Sequence, residues 1–176
     1  KVNEARGGYT VGVLVQTNFG GILTIQGAPV GEELKNHYLA QQTPQQVDGS
    51  CMIVIATDAP LLARNLERLA KRSFLALGRV GSFMSNGSGD YAIAFSTHPE
   101  CRIPYHPDQP VLYSPELGNE FMSPLFLAVV EATEEAIYNA LFMAEDMRGR
   151  KGRVINALPL ESTLEIMDRY GARTNR

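Results

Sequence analysis

The sequence predicts one α/β domain built in layers, and three observations carry that prediction. Strand-like apolar runs at residues 11–16, 51–57 and 91–97 are separated by turn-forming clusters. Two longer stretches, near 62–80 and 123–147, repeat their apolar residues at helical spacing instead. The elements arrive as hairpin, strand–helix–strand and then helices, an order that fits a layered sandwich better than a doubly wound sheet. With 176 residues, 44% of them hydrophobic, the chain is long enough to close one core.

Residues 11–16 form the first predicted strand. Thr17 to Gly21 has turn composition, and residues 22–25 read as the return strand of a hairpin. Residues 32–48 are polar and glutamine-rich, so they are expected to be exposed and mobile. After the strand that follows Ser50, Asp58-Ala59-Pro60 reads as a helix start, with Asp58 as the cap. Leu62, Leu66, Leu69, Ser73, Leu77 and Val80 form the inward stripe of that helix, which ends near Gly78–Gly81. The strand at 91–97 is expected to pair antiparallel with the Ser50 strand. Five prolines between residues 98 and 122 argue against regular structure there. Ser123-Pro124 opens a helix to about residue 147, with Leu125, Val129, Ala132, Ala136, Ala140 and Met143 facing inward. A basic turn at 148–153, an extended piece at 154–155 and a short helix over 160–170 complete the chain.

The net charge of −3, with both signs interspersed, gives no phosphate-tracking surface, so nucleic acid is not an expected partner. No apolar run reaches the ~20 residues that cross a bilayer, and no signal peptide opens the sequence. A cytoplasmic location is the resulting expectation, or a periplasmic one if a signal has been removed. The chain opens at Lys1 rather than at methionine, which points to a processed or partial chain. Cys51 and Cys101 make neither a metal pattern nor a disulfide framework, and no metal or cofactor is called for.

Candidate chemistry centres on Gly49-Ser50 at the mouth of the second strand. If that peptide bond is cut, Ser50 carries both a hydroxyl nucleophile and an α-amine. The amine titrates near ~7.7–8.0, so its neutral form can act as a base. Autocleavage between Gly49 and Ser50 is therefore the expectation, although a Gly-Ser step before a strand is also an ordinary loop. Asn18, at the end of a strand, is a candidate oxyanion donor, with Gly89 as the second. Ser88 and Asp90 are candidate support groups, Ser88 to relay a proton and Asp90 to orient it. Cys51 is the rival nucleophile, but strand alternation turns it to the face opposite Ser50. His37, His98 and His106 read as surface or packing residues. Gly87-Ser88-Gly89 lacks the ending of a phosphate loop.

Residues 11–18, Gly49-Ser50 with 53–61, and 87–91 with 94–97 resemble the DmpA family of L-aminopeptidase/D-esterases and β-aminopeptidases. Residues 135–141 and Gly149-Arg150 are similar to that family's late helix and turn. The resemblance implies a four-layer αββα sandwich, N-terminal-nucleophile-like and related in type to ornithine acetyltransferases. It implies a single self-processing domain in which residues 1–49 end the α chain and 50–176 form the β chain. Catalytic roles carry over to Ser50, Asn18, Ser88 and Asp90. The implied activity is release of N-terminal amino acids from small peptides, amides or esters, by αβ pairs assembled as a homotetramer. Family precursors also carry an N-terminal portion, with a carboxylate for the substrate amine and a tyrosine near the site, that this sequence lacks. A same-fold acyltransferase and a non-catalytic binding relative are the alternatives.

Overall fold

The computed structural model describes residues 1–37, 40 and 49–173. Three strands make the main sheet: β1 (Val11–Asn18), β2 (Ser50–Thr57) and β3 (Tyr91–Ser96), in the order β1-β2-β3. The helices are α1 (Val30–Glu33), α2 (Ala63–Arg79), α3 (Met122–Phe142) and α4 (Leu160–Arg169). A separate two-stranded ribbon, β4 (Met147–Arg148) with β5 (Val154–Ile155), is solvent-exposed.

Alternation sorts the sheet into two faces. Cys51, Ile53, Ile55 and Thr57 of β2 are buried, and α2 and α3 pack side by side over that face. Their buried partners include Leu69 and Leu77 of α2 and Leu125, Val129 and Ile137 of α3. Each such aliphatic side chain contributes ~1.5–3 kcal/mol on full burial. The opposite face carries Leu14, Met52, Tyr91, Ile93 and Phe95, all exposed, with Leu14 at 71%. The described residues thus hold one β layer and one α layer. The bare face is the one a second sheet covers in an αββα sandwich.

Several expectations are corrected. Strand β1 pairs antiparallel with β2, not with residues 22–25. That segment instead follows the end of α2, where the Ile22 and Thr24 N–H groups donate to the Gly81 and Val80 carbonyls at 3.0 and 3.1 Å. β2 and β3 are parallel, not antiparallel, because the α2 crossover returns the chain to the same end of the sheet. Asp58 does not cap α2: its Oδ1 accepts the Thr10 N–H at 2.7 Å, and the helix starts only at Ala63. Helix α3 ends at Phe142, short of residue 147, because the chain turns there toward the ribbon; Met143 is 81% exposed.

The polar stretch from residue 32 does not begin loose either. Glu33 closes α1 and accepts from Arg169 Nη2 at 2.8 Å and from the Tyr170 hydroxyl at 2.7 Å. Those two bonds hold its carboxyl below the usual range, Tyr170 having the larger effect. The remainder of that expectation, at 38–39 and 41–48, lies outside the described residues.

Candidate active site

Register brings Asn18 and Ser50 together. They are the last directly opposed pair of the β1–β2 ladder. Opposed residues in an antiparallel pair project to the same face, with Cβ atoms about 4.5–5.5 Å apart. Extending the parallel β2–β3 register backward from Met52↔Tyr91 sets Asp90 beside Cys51. The Asp90 carboxylate is half-buried there and uses both oxygens: Oδ1 accepts the Cys51 backbone N–H at 2.7 Å, and Oδ2 accepts the Ser88 hydroxyl at 2.5 Å. The Gly89 N–H donates to Ser50 Oγ at 2.9 Å. Ser50 is therefore flanked by Asn18 on the β1 side and by Ser88, Gly89 and Asp90 on the β3 side.

Each side chain has a defined chemical state in this arrangement. The Ser88 hydroxyl donates its hydrogen bond to Asp90, which leaves the Ser88 oxygen lone pairs as acceptors. The backbone N–H of Gly89, expected to face an oxyanion, donates to Ser50 Oγ in this structure. Such a bond stabilises negative charge developing on Oγ. Burial, followed by the Asp90 charge, pushes the Cys51 thiol up to about 11, so it is protonated at neutral pH. Its side chain lies on the helix-covered face, away from Ser50. His98 follows the far end of β3, a strand length of ~20 Å from Asp90. His106 is exposed and packs edge-on against Tyr105.

Gly49 lies in a crowded place that sequence reading did not foresee. A Cβ at this position would sit 2.1 Å from the Asn18 carbonyl oxygen and 3.0 Å from Phe19 Cα. A cavity of about 620 Å³ opens beside Asn18, walled by Leu23, Leu34, Val80, Ile137 and Leu141. Ser50, Ser88 and Asp90 are not among its lining residues. The cavity was not legible in the sequence because its walls come from segments distant along the chain.

Comparison with known proteins completes the description. The chain is 41% identical over 175 residues to the beta-peptidyl aminopeptidase BapA of Sphingosinicella microcystinivorans, covering 92% of this chain and 44% of that protein. The structure of a Burkholderia sp. beta-aminopeptidase superposes with a TM-score of 0.81 at 35% identity, covering 99% of this chain and 48% of the other. The L-aminopeptidase D-Ala-esterase/amidase from Ochrobactrum anthropi, a variant of the Ntn hydrolase fold, gives 0.75 at 30% identity, covering 93% and 49%. The chain thus spans somewhat under half the length of these relatives, and its fold is the α/β fold of that Ntn hydrolase variant. The sequence profile of Peptidase family S58 matches residues 1–155, and the chain belongs to that family.

Proposed function

We propose that the protein is a self-processing serine aminopeptidase or amidase in which Ser50 is the nucleophile. The observation that carries this reading is the grouping of Asn18, Gly89, Ser88 and Asp90 around one serine at the mouth of β2. In maturation, Ser50 Oγ attacks the Gly49 carbonyl carbon, the C–N bond breaks, and the proton from Oγ passes to the Ser50 nitrogen. Water then hydrolyses the resulting ester, leaving a Gly49 carboxylate and a free Ser50 hydroxyl and amine. The products remain together as an αβ pair, and the pairs assemble as a tetramer.

In turnover, the neutral Ser50 amine accepts the Oγ proton as Oγ attacks the substrate carbonyl, or Ser88 accepts it while passing its own hydroxyl proton to the Asp90 carboxylate. Asn18 donates to the oxyanion. The proton passes to the leaving amine as the C–N bond breaks, and water releases the acyl group from Oγ. Small peptides and amides with a free amino terminus are the substrate class, as the names of the relatives suggest.

The experiment is Ser50→Ala in the full-length protein, run on a denaturing gel and assayed with amino-acid anilides. One uncut, inactive chain is expected. Cutting that persists in this variant, or that shifts when Cys51 is replaced, assigns the nucleophile elsewhere.

A further inference from the structure

We infer that Gly49 is a positioning residue for self-cleavage: the absence of a side chain there lets the scissile peptide lie against the Asn18 backbone. The inference rests on the reading of Ser50 given above. The atoms that a Cβ would meet are the Asn18 carbonyl oxygen at 2.1 Å, the Asn18 carbonyl carbon at 3.0 Å and Phe19 Cα at 3.0 Å. All belong to backbone, so no rotamer change relieves the contact. By contrast, a Cβ at Gly89 would meet Ser50 Oγ at 3.5 Å, an ordinary contact.

Neither strand can slide to make room. Val15↔Ile53 and Val13↔Ile55 lock the register through buried Ile53 and Ile55, and a one-residue slip would turn those side chains outward. The strain of a β-carbon therefore falls on the free end of the ladder, where residue 49 is lifted away from β1. That residue holds the carbonyl that Ser50 attacks, and Asn18 holds the amide that receives its oxygen. Displacement by about 1 Å in such a geometry costs on the order of 100-fold in rate.

The test is Gly49→Ala in the full-length protein, with cleavage followed by gel and mass spectrometry with and without hydroxylamine, which cuts an ester once it has formed. Cleavage about 100-fold slower than wild type, unrestored by hydroxylamine, is expected because attack itself is impeded. In the Ser50→Ala background, the same change should leave a soluble chain that melts within a few degrees of its parent. Cleavage at the wild-type rate overturns the inference, as does full restoration by hydroxylamine or an insoluble chain in the Ser50→Ala background. A wild-type protein that is never cut refutes the Ser50 reading itself, a result distinct from any of these.

Discussion

The Asp90 carboxylate reaches from the loop before β3 to the backbone N–H of Cys51, at 2.7 Å. One carboxylate thereby ties β3's leading loop to the residue after Ser50, and its second oxygen holds Ser88.

Replacing Asp90 with Asn keeps the shape but presents an N–H₂ group to one of two donors. Catalytic support of this kind is typically worth ~10²–10⁴ in rate. We expect kcat for an amino-acid anilide to fall within that range. A hydrogen bond to a charged group contributes about 1.5–3 kcal/mol, so the melting temperature should fall as well. Unchanged kcat in Asp90→Asn would remove this residue from the mechanism.

Asn18 closes β1 at the sheet's exposed face, so Asn18→Ala should fold normally. Loss of one oxyanion donor lowers kcat by ~10²–10³. Steady-state kinetics alongside circular dichroism separates that loss from unfolding. A variant with wild-type kcat would show that the oxyanion is held elsewhere.

Cys51 bears on both chemistry and pH. With its thiol pushed up to about 11, it is neutral through the working range, and Cys51→Ala should retain activity. Because the thiol ionises near 9 when unfolded and near 11 when folded, the folded state holds the extra proton between those values. Stability from this group is complete below pH 9 and lost as pH rises toward 11. Thermal melts across that window should show a decline in the wild type that is shallower in Cys51→Ala. Equal slopes would contradict the assignment.

How much of this was legible in the sequence depends on whether a feature is local or topological. Helical periodicity located Leu69, Ser73 and Leu77, which are buried, because spacing along one helix is sufficient for that. It missed Asn65, which is fully buried and donates to Glu116 at 2.9 Å from a distant loop. Strand partners were misread because pairing depends on where a crossover returns the chain. Apolar residues 22–25 look like a strand, yet Ile22 and Thr24 bond to the turn after α2 and Ile25 exchanges hydrogen bonds with Ala28. The proposed site residues were named from the Gly-Ser and Ser-Gly-Asp patterns and, for Asn18, from its place at a strand end. The crowding at Gly49 was not, since a close backbone approach leaves no trace except the glycine itself.

Away from the site, the Tyr138 hydroxyl donates to Glu134 at 2.8 Å and accepts the Gln26 N–H at 3.0 Å. Burial raises its pKa well above the usual phenol range. Gln26 occupies a turn at φ +48°, which is uncommon for a side-chain-bearing residue and is held partly by this bond. Tyr138→Phe removes both hydrogen bonds, each worth ~0.5–1.5 kcal/mol net. At ~2–4 °C per kcal/mol for a chain of this size, calorimetry should show a drop of several degrees, with self-cleavage intact. An unchanged melting temperature would mean that the turn holds without the tyrosine.

N-terminal sequencing of the purified full-length protein tests the central claim most directly. Two polypeptides are expected, one of them beginning Ser50-Cys51-Met52-Ile53. A fully active enzyme recovered as one unbroken chain, or a new terminus at any other residue, would contradict it.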